Sequence, residues 1–176
     1  MSSNLVWIDL EMTGLDPERM VILEIASIVT DADLHIIAEG PNIAINYPDD
    51  VLKKMEEWSL THHRASGLLE RVKESKYDCG HAEKETLNFV SACCRKGESP
   101  LCGNTIWQDR RFLVRHMPEL ESFFHYRIID VSTVKELVSR WYPDLPKYEK
   151  MKNHLALDDI RESINELKYY RDKIFV

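Results

Sequence analysis

Apolar residues in the first third of the chain follow the patterns of β-strands. Residues 5–11, LVWIDLE, and residues 20–30, MVILEIASIVT, are apolar on both faces, which predicts two central strands of a sheet. Residues 35–46 predict a third strand. The Gly40-Pro41 pair inside it predicts a break in that strand and an antiparallel meander.

From Pro48 onward the spacing of apolar residues becomes mainly helical. The pattern predicts helices within residues 49–60, 67–75, 81–97, 108–117 and 156–174, and a short strand at 99–103. In RIIDVSTVKELVSRW, residues 127–141, it predicts a brief strand that runs into a further helix, where Thr133 to Glu136 match a capping box. Three strands followed by alternating helices and strands predict an α/β domain, with a mixed central sheet flanked by helices. No low-complexity segment, repeat or Gly/Ser linker interrupts the sequence, so we expect residues 1–176 to form one domain.

Two carboxylates stand inside the first predicted strand. Residues two apart share a face of a strand, so Asp9 and Glu11 project side by side, where their charges repel and burial is unfavourable. A divalent cation such as Mg²⁺ or Mn²⁺ relieves both effects, because these ions prefer oxygen ligands. The alternative is an edge strand with solvated acids, which the apolar flanking residues disfavour. Glu24, alone in the second apolar strand, is expected to pair with a base such as Arg19 or Arg110.

Two predicted helices supply further acids. Asp109 lies on the inward side near the start of its helix, although an acid at that position also favours a helix N-terminus electrostatically. At about 100° per residue, Asp159 flanks the inward apolar stripe of the last helix, and Asp158 points to the opposite side. His154 is expected on the preceding loop or first turn, either above the acids or simply at the surface. The pattern therefore predicts four inward acids and one histidine at a single site.

Composition and charge narrow the classes of function. With 44% hydrophobic and 30% charged residues, the chain has the composition of an ordinary soluble globular protein. We see neither an apolar run long enough to span a bilayer nor a secretory signal, and the four cysteines lack a C-x-x-C spacing, so we expect a cytoplasmic protein with reduced thiols. A net charge of −7 disfavours a protein that binds long nucleic acids through many phosphates. It still permits a short nucleic-acid substrate, or one whose charge is neutralised by metal ions.

The acids and the histidine fall into three short motifs: Asp9-x-Glu11, Asp109 after GNTIWQ, and His154-x-Ala156-x-x-Asp159. These motifs resemble the three exonuclease motifs of the DEDD superfamily, in its His-containing branch. Longer stretches, among them HHRASGLLERV, CGNTIWQDRRFL and HYRIIDVSTVKEL, resemble the oligoribonuclease family over nearly the entire chain. The resemblance implies a ribonuclease H-like exonuclease fold, a homodimer and a 3′-to-5′ exoribonuclease that degrades very short RNA, especially dinucleotides, to 5′-mononucleotides.

The resemblance also implies roles for individual residues. Two divalent cations, Mg²⁺ or Mn²⁺, would be held by the four carboxylates Asp9, Glu11, Asp109 and Asp159. His154 would act as the general base, and its reference pKa of about 6.5 suits that role near neutral pH.

Further positions match residues that hold the substrate in the family. An aromatic and aliphatic wedge that stacks the bases corresponds to Leu15, Trp58 and His63. A polar cap on the 5′ phosphate corresponds to Thr105, Arg127, Ser132 and Thr133, and Tyr126 corresponds to a tyrosine delivered into the active site of the neighbouring subunit. Structural roles are the alternatives: Leu15 and Trp58 in the core, and Thr133 as a helix cap.

Three other functions stay open at this level. A proofreading or tRNA-trimming exonuclease of the same superfamily would share the motifs but take longer single strands. The stretch DLEMTG also resembles the D-x-D-x-T motif of haloacid-dehalogenase-type phosphatases, whose first Asp attacks phosphorus covalently. Against that reading, Glu11 replaces the second Asp, and Asp158-Asp159 opens a helix instead of ending a strand. A non-catalytic binding module is the third alternative, which the presence of the whole set of acids disfavours.

Overall fold

One mixed β-sheet forms the centre of the molecule. The computed structural model describes residues 4–149 and 156–175, and within them five strands are ordered β3-β2-β1-β4-β5. The strands are β1 Leu5–Met12, β2 Ile22–Thr30, β3 Ile36–Ala44, β4 Leu101–Gly103 and β5 Ile128–Asp130. The first three form an antiparallel meander, and β4 and β5 add to β1 in parallel. This arrangement confirms the predicted mixed sheet and places β1 at its centre.

Eight helices flank the sheet in the described part of the chain: α1 Asp49–Leu52, α2 Glu57–Ala65, α3 Leu68–Glu74, α4 Cys79–Cys93, α5 Ile106–His116, α6 Pro118–Glu121, α7 Val131–Trp141 and α8 Ala156–Ile174. Several helix boundaries differ from the prediction. The helix predicted within residues 49–60 is divided into α1 and α2, and α5 begins at Ile106 instead of residue 108. Helix α4 ends at Cys93 instead of Gly97. The cap of α7 is Asp130, whose side chain accepts a hydrogen bond from the Ser132 N–H, so Thr133 lies inside the helix and does not cap it. Within the described ranges, no helix has the length and apolar character that crossing a membrane requires.

Strand β3 continues through the Gly40-Pro41 pair, so the predicted break is wrong. The pairing with β2 shifts register between Ala26 and Ile28, and this irregularity accommodates the pair within an edge strand. Gly40 is needed there for a packing reason: a Cβ atom at this position would overlap the Phe89 ring of α4.

Side-chain alternation along β1 divides the core into two layers. Val6, Ile8 and Leu10 pack on one side with Phe112 and Leu113 of α5. On the other side, Leu5 and Trp7 pack with apolar residues of β2, α7 and α8, among them Ile28, Val131, Val138, Ile160 and Ile164. Because residues two apart share a face, the acidic residues that continue β1 face the α8 side of the sheet.

Candidate active site

Three carboxylates converge at the carboxyl end of β1. Asp9 and Glu11 project from β1 toward α8, and Asp159 lies in the first turn of α8. Each of the three acids offers an oxygen, and these oxygens lie within 4.8 Å of one another. Asp158, its neighbour in sequence, instead forms an ion pair with Arg161. The strand and helix geometry therefore places a compact group of ligand oxygens at this end of the sheet.

Asp109 reaches the same region from α5. Helix α5 begins shortly after β4, the parallel neighbour of β1, so its first turn lies at the same edge of the sheet. The Asp109 side chain is 7% exposed, and its Oδ1 accepts a hydrogen bond from the Leu10 N–H at 3.0 Å. Its negative charge raises the pKa of Asp9, so it stands close to the other acids although it is not one of the three whose oxygens lie within 4.8 Å.

Burial and mutual repulsion favour the protonated forms of these acids. Burial, and then the charges of Asp109 and Glu11, raise the pKa of Asp9 well above its ordinary value. The pKa of Glu11 is raised to about 8 by burial and by the charges of Asp159 and Glu24, and burial raises the pKa of Asp109 to about 7. Such a set of hard oxygen donors, whose burial and mutual repulsion raise their pKa values, fits divalent cations such as Mg²⁺ or Mn²⁺.

A fifth carboxylate, Glu24, lies beside the site and is paired with a base. Glu24 stands opposite Glu11 in the β1–β2 register and is 1% exposed. Both of its oxygens accept hydrogen bonds from the guanidinium of Arg71 on α3. The expectation of Arg19 or Arg110 as its partner is therefore wrong, since Arg110 pairs with Glu121. Arg71 was missed because it lies 47 residues from Glu24, and no local pattern links the two.

His154, the predicted general base, lies outside the described residues. The chain enters α8 at Ala156, two residues later, and Asp159 follows in the first turn of that helix.

Leu15, in the loop after β1, and Trp58, in the first turn of α2, are exposed apolar residues. Their exposed fractions of 64% and 73% exclude the core roles given above as alternatives. The loop after β1 is joined to the start of α2 by the Glu56 N–H, which donates to the Thr13 carbonyl at 2.9 Å. The Gln108 amide donates to the Leu15 carbonyl at 2.6 Å and holds this loop against α5.

His63 is buried between the acids and this apolar pair. Its Nε2 lies 2.8 Å from the Met12 carbonyl, so the ring is protonated on Nε2 when it is neutral. Nδ1 then faces Glu11 Oε2 at 3.6 Å and has no hydrogen-bond partner among the described residues. Burial lowers the pKa of His63, which favours the neutral ring. The His62 ring stacks on Trp58, with ring centroids 5.0 Å apart.

Three of the four predicted phosphate-cap residues line one hollow. Thr105, Ser132 and Thr133 border a cavity of about 420 Å³ between the starts of α5 and α7. Arg127 does not line it; its guanidinium lies 5.4 Å from the Tyr126 ring centroid. Trp107, to which the sequence assigned no role, is part of the lining.

Tyr126 projects into solvent from the loop before β5. Its side chain is 72% exposed and contacts the His125 ring, with centroids 4.4 Å apart. Arg110 of α5 donates to the carbonyls of both residues and holds this loop in place. The anchored backbone and the exposed ring of Tyr126 suit a side chain that contacts another molecule.

Comparison with known proteins finds similarity along nearly the whole chain. A family model described as Exonuclease matches residues 6–167. Oligoribonuclease of Marinobacter nauticus is 61% identical over 172 residues, which are 97% of this chain and 96% of that protein. Oligoribonuclease of Dichelobacter nodosus is 59% identical over 174 residues, or 99% of this chain and 96% of that protein.

Solved structures of exonuclease I have the same fold. Exonuclease I from Methylocaldum szegediense aligns with 98% of this chain at a TM-score of 0.71 and 19% identity. The zinc-bound complex of E. coli exonuclease I with single-stranded DNA aligns with 99% of this chain at a TM-score of 0.72 and 14% identity. This chain spans 41% of each of those longer chains. At such low identity the likeness concerns the fold, a mixed sheet of ribonuclease H-like type.

Proposed function

This chain belongs to the exonuclease family, among the oligoribonucleases, and on that basis we propose that it is a 3′-to-5′ exoribonuclease that degrades very short oligoribonucleotides to 5′-mononucleotides. The observation that carries the proposal is the convergence of Asp9, Glu11 and Asp159, with Asp109 beside them, next to the exposed Leu15 and Trp58. The phosphatase alternative is set aside, because the family is that of exonucleases. We also propose that residues 1–176 form a single exonuclease domain.

Four carboxylates would hold the metal ions. Asp9, Glu11, Asp109 and Asp159 supply hard oxygen ligands for two cations, Mg²⁺ or Mn²⁺. When bound, such a pair of cations neutralises the scissile phosphate and stabilises the charge that develops in an in-line displacement. His154, two residues before α8 in the sequence, would accept the proton of the attacking water.

Exposed side chains on both sides of the acids would hold a short substrate. Leu15 and Trp58, with His63 beneath them, contact the faces of the bases by stacking, which is tolerant of sequence. The hollow at Thr105, Ser132 and Thr133 receives the 5′ phosphate, and Arg127, which lies outside the hollow beside Tyr126, is the fourth residue proposed for the cap. A capped substrate has few phosphates, so the protein does not need a long basic channel to bind it. The net charge of −7 agrees with such a substrate.

Apolar residues on one side of the molecule support a homodimer. Strand β5 is an edge of the sheet, and α5 packs beside it. Large side chains on α5, α7 and the β5 segment are exposed: Trp107, Val114, Tyr126, Ile128, Leu137 and Trp141. An apolar surface of this kind is typical of an interface between subunits. In the proposed dimer, Tyr126 of one subunit enters the active site of the other.

The length of the preferred substrate, and its ribose or deoxyribose sugar, distinguish this function from that of a proofreading or tRNA-trimming exonuclease. We expect turnover with Mg²⁺ or Mn²⁺ to be faster on a 5′-phosphorylated RNA dinucleotide than on a 20-nucleotide RNA or on the matching DNA dinucleotide. A proofreading or tRNA-trimming enzyme would prefer the long strand. The Asp109→Asn variant, which loses one carboxylate charge at nearly constant volume, is the control for contaminating nucleases. Faster cleavage of the 20-nucleotide RNA would contradict the proposal.

Replacing His154 tests its role as the general base. The His154→Ala variant should lose about 10²–10⁴-fold in kcat, because a positioned proton acceptor contributes that much. Calorimetric titration with Mn²⁺, and with a dinucleotide in the presence of Ca²⁺, should show binding that is nearly unchanged. His35→Ala is a matched control, since His35 is exposed and pairs with Asp31. Near-normal turnover of His154→Ala would refute the assignment.

A further inference from the structure

A carboxylate of α8 is fully buried behind the phosphate hollow. Glu166 is 0% exposed, although an ionised carboxylate is strongly disfavoured in a protein interior unless donors surround it. Its Oε1 receives the Tyr170 hydroxyl at 3.1 Å and the Lys135 ammonium at 3.1 Å. Its Oε2 receives the Asn104 amide at 3.2 Å. Glu166 is neither one of the acids at the active site nor one of the residues proposed to stack on the bases, so the proposed function does not yet give it a role.

Asn104 links Glu166 to the hollow. Its Nδ2 donates to Ser163 Oγ at 2.7 Å as well as to Glu166. Because only the NH₂ group of an amide can donate to a carboxylate, these two acceptors determine which way the amide faces. Its Oδ1 therefore points toward Ser132, whose hydroxyl donates to it at 3.2 Å.

Ser132 in turn contacts Thr105 at the edge of the hollow. Their two hydroxyl oxygens are 3.0 Å apart. The backbone N–H groups of both residues donate to Asp130 Oδ1, each at 2.9 Å, so the two side chains are held on rigid backbone. Thr105 has a left-handed backbone conformation with φ of 55°, which the bond to Asp130 helps to maintain. With the Ser132 proton directed to Asn104, Ser132 Oγ accepts a hydrogen bond from the Thr105 hydroxyl, and the Thr105 proton is the one that can turn instead to a ligand in the hollow.

We propose that Asn104 and Glu166 are positioning residues for recognition of the substrate's 5′ phosphate. Glu166 orients the Asn104 amide, Asn104 holds the Ser132 hydroxyl, and Ser132 holds the Thr105 hydroxyl beside the hollow. Ser163 also donates to the backbone carbonyl of Asp159, so the same network joins the hollow to the helix that carries an acid of the active site. This inference rests on the proposed exoribonuclease function, and it adds two residues that touch neither substrate nor metal.

The test compares RNA dinucleotides with a 5′ phosphate and with a 5′ hydroxyl. For wild type, kcat/KM should be higher on the phosphorylated form. In Asn104→Ala this preference should fall about tenfold, the effect of a lost or misdirected hydrogen bond to a charged group, while kcat/KM on the 5′-hydroxyl form changes by no more than about twofold. Glu166→Gln, which keeps the volume but removes the charge, should shift the preference in the same direction.

The matched control is Asn46→Ala, which removes an amide that donates to the carbonyls of Val72 and Lys73, away from the hollow. It should leave the preference for the 5′ phosphate unchanged. Equal losses on both dinucleotides in the Asn104 and Glu166 variants would show a general structural role and overturn the inference, as would wild type without a preference for the phosphate. If Asn104→Ala does not fold, Glu166→Gln decides. Wild type that cleaves neither dinucleotide would instead refute the proposed function.

Discussion

At Glu11, burial and the neighbouring carboxylates act together to raise the pKa to about 8 from an ordinary value of 4.5. A raised pKa means that the folded protein binds the proton more tightly than the unfolded chain does. The resulting stabilisation is complete below pH 4.5 and is lost as the pH rises through 8. The metal-free protein is therefore expected to become less stable between pH 5 and pH 8.

Replacing Glu11 by Gln tests this linkage. With EDTA present, Glu11→Gln should be more stable than wild type at pH 8 by a few kcal/mol, and the two should differ much less at pH 5. Urea unfolding at both pH values measures the difference. Mn²⁺ should raise the stability of wild type at pH 8 more than that of the variant, since the cation displaces the proton and needs the carboxylate. Parallel pH profiles for the two proteins would contradict the argument, and the exposed Glu18→Gln serves as control.

At the level of elements, the contact between α4 and the edge strand β3 depends on a glycine, Gly40, which has no side chain. Gly40 faces the Phe89 ring and Ser27, and a Cβ atom there would overlap both. A second glycine, Gly80 in the first turn of α4, has its nearest neighbour, Asp78 Oδ1, at an ordinary 3.7 Å. The two glycines therefore differ in what an added methyl group would meet.

Alanine at these two positions should act in opposite directions. Gly40→Ala should lower the free energy of unfolding by about 1–3 kcal/mol, because it overpacks the helix against the strand. Gly80→Ala should raise it by about 0.5–1 kcal/mol, because alanine loses less backbone entropy in a helix. Denaturant unfolding of the two variants gives both values. A Gly40→Ala variant as stable as wild type would mean that α4 can move away from β3 without loss.

For the whole molecule, the exposed apolar surface on α5, α7 and β5 determines the expected assembly. The opposite edge of the sheet, β3, also exposes an apolar side chain, Ile37 at 51%. Its position on the other edge strand makes it a matched control for Val114, which is 57% exposed on α5.

A charge in the proposed interface should separate the subunits. Val114→Asp is expected to be monomeric in light-scattering measurements and to lose at least about tenfold in turnover of an RNA dinucleotide, because Tyr126 then cannot reach the partner's site. Ile37→Asp should keep the assembly and the activity of wild type. A monomeric Val114→Asp protein with full turnover would argue against a shared active site.

The limits of prediction from sequence follow from the range of the interactions involved. The Asp130 cap on α7 was missed because, in the sequence alone, Thr133 is an equally suitable capping residue. Strand β5 ends at Asp130 and the helix follows at once, and only this position of the strand end decides between the two residues. The Arg71 partner of Glu24 and the Trp107 wall of the hollow depend on contacts between elements far apart in the chain. The network through Asn104 and Glu166 spans 62 residues and has no sequence signature.

The sequence by itself determined the mixed α/β sheet and which residues share a face, because side-chain direction follows from the two-residue period of strands and the 3.6-residue period of helices. It therefore placed Asp9 with Glu11 and turned Asp159, not Asp158, toward the core. Tertiary structure alone decided how close those acids come to one another and how far the pKa values of Asp9, Glu11 and Asp109 rise. Distances and burial of this kind arise only when separate elements pack, and no local period encodes them.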